Sequence, residues 1–265
     1  MGATTCRVHG RQGPRAPAFR FHSRDEGTPI HFAPMEALLG AGIYPLSQAA
    51  RLVGEPARNV RRWLKGYSWK YRDGRSSSGP LWHTRYEDEE LPGGLAIGFR
   101  DLLELRMVAQ FARYGVHLKV IRATIDAARS HFRSDYPLTN RRFLTDGRRI
   151  FLEAVEETTG AERLIDVLGR QFVFSEVIRP SLYAGIEYDR SGARRWFPVH
   201  RSRMILLDPE VQFGTPIIAD AGVPTDAIYD AWKAESRDQV RVARAYGLTP
   251  KMVSAAVNFE QRIRA

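Results

Sequence analysis

Arg58, Asn59, Arg61, Arg62 and Lys65 crowd into one short stretch, and Lys70, Arg72 and Arg75 follow closely. Guanidinium, ammonium and amide groups at this density donate hydrogen bonds to phosphate oxygens and to the acceptor edges of bases. Four carboxylates elsewhere, Asp208, Glu210, Asp220 and Asp226, carry a different chemistry, since clustered carboxylate oxygens hold hard divalent cations such as magnesium. Their positions at turns and helix starts are where Asp and Glu serve the backbone instead. No Ser, His and Asp arrangement and no phosphate-cradling glycine loop accompanies them. The expectation is a protein that is not an enzyme, with no cofactor and no metal site. His117 is expected to start a helix, because no second ligand lies at metal spacing on the same face. The single cysteine, Cys6, excludes an internal disulfide and a cysteine-based zinc site.

The elements that must position the basic groups are legible. Leu46, Ala49, Ala50 and Val53 repeat at the spacing of one apolar helix face, and Gly54 ends the pattern. Pro56 fits the first position of a second helix, which turns Ala57, Val60, Trp63 and Leu64 inward and leaves Arg58, Asn59, Arg61, Arg62 and Lys65 outside. Two short helices joined by a glycine turn form a helix-turn-helix, whose second helix enters the DNA major groove. Period-two alternation in Trp69 to Arg72 and again in Leu81 to Tyr86, around a loop from Asp73 to Gly79, predicts a β-hairpin wing with Arg75 at its tip.

Charge supports the same end of the chain. Residues 1–86 hold 14 Lys and Arg against 5 Asp and Glu, while residues 87–265 hold 26 against 25. A basic end on a nearly neutral body suits a polyanion. No apolar run is long enough to span a bilayer and no signal-peptide core is present, so the expectation is a cytoplasmic protein with no membrane partner.

The remaining pattern predicts a mainly α protein with small β elements, an α+β chain in four parts. Residues 1–36, with Arg7, Arg11, Arg15, Arg20 and Arg24 among prolines and glycines, are expected to be a flexible basic arm. Residues 37–136 form the winged head, extended by helices over Phe99 to Arg113 and around Ile121, Ile125, Ala128 and Phe132. Residues 137–200 are a mixed connector: a hairpin over Phe143 to Leu152 around Asp146 and Gly147, mixed signals over 164–182, and a strand pair around Ser191 and Gly192. Residues 201–265 begin with a short strand over Ile205 to Pro209 and end in three helices. Ala227, Ile228, Ala231 and Trp232 stripe the first, Val240, Ala243 and Tyr246 the second, and Thr249 with Pro250 starts the third. Met252, Val253, Ala255, Ala256, Val257 and Phe259 are expected to form an exposed apolar surface, with Val253, Ala256, Val257 and Phe259 as a homodimer interface.

Two resemblances follow from these motifs. The RRW-bearing helix, the aromatic hairpin and FRDLLELRMVAQFARYGVHLKVIRATI together resemble the DNA-binding head of the MerR-type regulators, over residues 42–132. That likeness implies DNA contacts from Arg58, Asn59, Arg61, Arg62 and the hairpin residues. It does not extend to the long dimerisation helix of that family, since no sustained heptad pattern follows Phe132. The set ILLDPEVQFGTPIIADAGVPTDAI followed by VRVARAYGLTPKMVSAAVNFE resembles the VapB-like antitoxins with a trihelical domain. That resemblance implies a DNA-binding repressor of a type II toxin-antitoxin system, whose partners are the double-stranded DNA of its own promoter and a PIN-domain ribonuclease toxin. The alternative is a stand-alone MerR-like transcription regulator that responds to a small-molecule effector.

Overall fold

The computed structural model describes residues 42–71, 74–84, 95–159 and 183–265. The expected arm, Arg72, Arg85, Tyr86 and the segment 164–182 lie outside the described residues. Within them the chain is mainly α, with four small antiparallel two-stranded sheets. The described residues all belong to one compact unit, Ala33–Ala265.

The first sheet joins β1 (Ile43–Pro45) to β4 (Ala96–Gly98), with Tyr44 opposite Ile97. It brackets α1 (Leu46–Val53), α2 (Ala57–Lys65) and the hairpin of β2 (Tyr67–Tyr71) and β3 (Gly74–Ser78). Leu46, Ala49, Ala50 and Val53 are buried as their spacing requires, and Gly54 closes α1 in the left-handed region at φ +70°. Pro56 sits one residue before α2 rather than within it, and Ala57 is exposed, so the buried stripe is Val60, Trp63 and Leu64.

The wing is shorter than expected and lies earlier. Tyr67 pairs with Ser78 and Tyr71 with Gly74, so the serine run read as loop is the second strand. Leu81 to Thr84 do not form a strand. Pro80 has no N–H to continue the ladder, and Leu81 and Trp82 are buried side by side, which one face of a half-exposed strand cannot do. Leu81 instead donates its N–H to Trp63 O, and the Trp82 indole donates to Asp101.

The turn into the wing depends on Gly66, at φ +73° and ψ −176°. A Cβ there would lie 2.4 Å from Ser78 O, a backbone atom that cannot swing aside. Gly66→Ala is therefore expected to destabilise the protein by about 3 kcal/mol through strain and steric overlap. Thermal denaturation checks this, and an unchanged melting temperature would contradict the geometry of this turn.

Helix α3 (Phe99–Arg113) is buried along most of its length, including Asp101, Glu104 and Arg106. Asp101 is met by Trp82 before the helix, and the other two by later parts of the chain. Glu104 accepts hydrogen bonds from Leu138 N, Thr139 N and Thr139 Oγ1, while Arg106 donates to Ala184 O and lies 5.3 Å from the Trp196 ring. Helix α4 (Leu118–Phe132) starts as expected, with His117 Nδ1 accepting from Lys119 N, and buries Ile121, Ile125, Ala128 and Phe132.

Residues 143–152 are helical, not a hairpin. They open α5 (Phe143–Thr159), which buries Phe143, Ile150, Phe151, Ala154 and Val155 against α4 and α3. That spacing is a helix face, and it outweighs a local Asp-Gly pair. Gly147 serves close packing there, because a Cβ would lie 2.7 Å from the Phe143 ring.

Strands β5 (Ile186–Asp189) and β6 (Gly192–Trp196) form the expected pair. Strand β7 (Ile205–Leu206) is only two residues long; it pairs with β8 (Ile217–Ile218), and Leu207 bridges to Trp196. Three helices follow: α6 (Thr225–Ala234), α7 (Gln239–Tyr246) and α8 (Pro250–Arg264). Ile228 is the buried centre of α6, with Ala227, Ala231 and Trp232 partly covered. On α7 the inward residues are Val242 and Ala243; Val240, expected inside, is 58% exposed, and Tyr246 is also exposed.

The expected dimer surface on α8 is corrected by its burial. Val253, Ala256, Val257 and Phe259 are all buried within the chain. Their stripe packs on α6, α7, β7, β8 and α1, so these side chains are not available to a second copy. One core cluster accordingly runs from Tyr44 to Phe259, and the Tyr44 hydroxyl donates to Gly214 O at 2.7 Å.

Candidate nucleic-acid interface

Arg58, Arg61, Arg62 and Lys65 fall at i, i+3, i+4 and i+7, and all four are exposed on the face of α2 opposite Val60, Trp63 and Leu64. None has a carboxylate partner among the described residues. The nearby acid, Glu55, is engaged elsewhere, by Asn59 Nδ2 at 3.2 Å and by Arg113 at 3.6 Å. Asn59 is thus the one expected contact on α2 that is half-buried and turned back onto its own helix start.

The wing continues the basic surface. Lys70 lies directly across from Arg75 in the ladder, and Arg75 donates to Ser68 Oγ at 2.9 Å. Two cations facing each other on one strand pair repel, and a polyanion laid against them removes that cost. The other face carries Tyr67 and the exposed Trp69, with ring centroids 5.2 Å apart, and Arg62 reaches back from α2 to lie 4.0 Å from the Tyr67 ring. That contact ties α2 to the wing through Arg62 and Tyr67.

Two arginines that the sequence reading did not single out hold this arrangement in place. Arg113, at the end of α3, donates to Val53 O and Gly54 O at 2.9 and 2.8 Å, satisfying carbonyls left open where α1 ends. Arg122, on α4, donates to Ser78 Oγ, Gly79 O and Pro80 O at 3.0, 2.7 and 2.5 Å, clamping the base of the wing. In the sequence both look like ordinary surface charges on amphipathic helices. Their only visible signal is that the turn and the wing, taken alone, leave backbone carbonyls without donors.

The four carboxylates do not form a metal centre. Asp208 is buried and accepts Glu210 N, Glu210 pairs with Arg194 at 2.8 Å, Asp226 accepts Ala227 N, and Asp220 is exposed. Among the described residues, no group of three or more His, Cys, Asp or Glu side chains is placed to hold a metal ion. No helix of the described residues is long and apolar enough to cross a membrane.

Against known proteins, residues 205–259 match a family model described as a protein of unknown function, DUF433. The match covers β7 through most of α8. Over 235 residues the chain is 24% identical to the uncharacterized protein Rv2308 of Mycobacterium tuberculosis, spanning 86% of this chain and 94% of that protein. Among solved structures it is similar to the crystal structure of Rv2018 from Mycobacterium tuberculosis, with a TM-score of 0.59 and 19% identity over 81% of this chain and 96% of that one. The last likeness bears on the fold alone.

Proposed function

We propose that this chain is a DNA-binding antitoxin that represses its own promoter and neutralises a PIN-domain ribonuclease. The observation that carries the DNA-binding part is the set of exposed, carboxylate-free cations on one face of α2, continued by Lys70 and Arg75 on the wing. Cations without acidic neighbours retain their full attraction for phosphate. The MerR-like arrangement of helix pair and wing supports the same reading.

The toxin partner rests on the VapB-like motifs in residues 204–260. A homodimer belongs to this proposal on symmetry grounds, since one short recognition helix reads a single half-site. Its interface lies outside the buried stripe of α8. Co-expression with the protein of the adjacent reading frame tests the partner: the two are expected to co-purify, with ribonuclease activity suppressed in the complex. A neighbour that neither binds nor loses activity removes the antitoxin reading.

In that case the second reading applies, a regulator with a small-molecule effector. It is favoured by a cleft of about 510 Å³ beside the wing base, lined by Trp82, His83, Arg122, Asp126 and Arg129 among others. Because Arg122 also clamps the wing, a ligand there would bear on the DNA-contacting hairpin.

A further inference from the structure

Around β5 and β6 the chain pairs its arginines with carboxylates. Arg194 meets Glu210 at 2.8 Å, and Arg195 and Arg203 share Glu187. Three nearby arginines stand outside this pattern. Arg100, Arg141 and Arg190 line a cleft of about 180 Å³ between the α4–α5 connection and the β5–β6 turn, and none has a carboxylate partner among the described residues.

The cleft is a built recess. Arg100 is fixed by Nη2 donating to Ser191 O and Ser191 Oγ at 2.9 and 3.1 Å. Arg141 Nη2 donates to Tyr188 O at 3.4 Å, which leaves most of its guanidinium free to donate elsewhere. The one lining carboxylate able to oppose them, Asp189, is folded into its own turn, where it accepts both Ser191 N and Ser191 Oγ at 2.7 Å. Ser134 and Asn140 add a neutral hydroxyl and an amide to the wall.

Three arginines lining one recess bring together the donor type that suits an oxyanion, since a guanidinium gives paired N–H bonds to phosphate oxygens. The volume suits one such group with a few waters, at about 30 Å³ per water. We infer that this cleft binds a phosphoryl group through Arg100, Arg141 and Arg190. The phosphoryl group belongs either to a small phosphorylated molecule in solution or to the backbone of DNA already held by the chain. The site uses no residue of α2 or the wing, so phosphate binding at the cleft is tested independently of the DNA-binding proposal, while its assignment to DNA rests on that proposal.

The test uses the full chain and two probes. Calorimetric titration with inorganic phosphate, at ionic strength held constant with chloride, is expected to show saturable binding that weakens at least about tenfold in the double variant Arg141→Gln, Arg190→Gln. Both side chains are exposed, so the variant is expected to fold, and circular dichroism verifies it. Gel shifts of the same variant on duplex DNA then separate the sources. DNA affinity equal to wild type, with phosphate binding lost, assigns the site to a free small molecule; a log-log salt slope lowered by about 1.8 assigns it to the DNA backbone. Phosphate binding identical in wild type and variant overturns the inference, as does a wild type without saturable phosphate binding whose variant binds DNA unchanged.

Discussion

Replacing Arg58, Arg61 and Arg62 together with alanine is expected to remove nearly all DNA binding while leaving the fold intact. The three side chains are exposed on α2 and lack carboxylate partners among the described residues, so truncation removes charge without opening the core. If each neutralises one phosphate, the wild-type log-log salt dependence should exceed that of the triple variant by about 2.7, at about 0.9 per contact. Gel shifts on the protein's own promoter at several salt concentrations measure both quantities. Unchanged binding by the triple variant would refute the assignment of α2 as the recognition helix.

Glu104 is expected to give the largest effect on stability. Burial raises its pKa from the ordinary 4.5 to about 7, with a further push from the Asp101 charge, against the hydrogen bonds from Leu138 and Thr139 that favour the charged form. The Tyr188 phenol is a further titratable neighbour. The folded state thus keeps its proton up to about pH 7, whereas the unfolded chain releases it near 4.5. This contribution is fully present below the unfolded value and is lost as pH rises through the folded one. Between pH 5.5 and 7.5 wild type should lose about 2 kcal/mol relative to Glu104→Gln, measured by urea denaturation. Glu104→Ala strands two buried backbone N–H groups and a hydroxyl, at a cost on the order of 4 kcal/mol at pH 5.5 that shrinks by the same ~2 kcal/mol at pH 7.5, since alanine does not titrate either. A wild-type and Gln-variant difference that does not change with pH would place the carboxyl outside its buried setting.

What could be read in the sequence was set by the range of the forces involved. Helices α1, α3 and α4 were readable because each carries its own apolar period and its own end signals, from Gly54 to the cap at His117. The β5–β6 pair was readable from its turn residues. Helix α5 was not, because the Asp146-Gly147 pair is a strong local turn signal, while a partner of its apolar face, Phe111, which stacks on Phe151, is distant in sequence. The wing register depends on Gly66 fitting against Ser78 O, and composition alone does not encode that contact. The cations of the candidate interface were visible as residues. Their supports, Arg113 and Arg122, were not, since each bonds backbone carbonyls far away in the chain. The apolar stripe of α8 was identified correctly as apolar and placed on the wrong side of the surface. A stripe fit to bury looks the same whether its partner is another chain or α1 of this one.

That last contact makes the α1–α2 helix pair and the DUF433-matching segment parts of one cooperative element. Because α8 and Gly214 close over α1 and Tyr44, the backbone amides of α1 should open to hydrogen exchange together with those of α8, not ahead of them. Any molecule that grips the C-terminal segment in its folded form adds its binding free energy to the protection of the α1–α2 helix pair. By the same linkage, a ligand held at α2 would slow the fraying of α8. Occupancy at either end would then be readable as amide protection at the other.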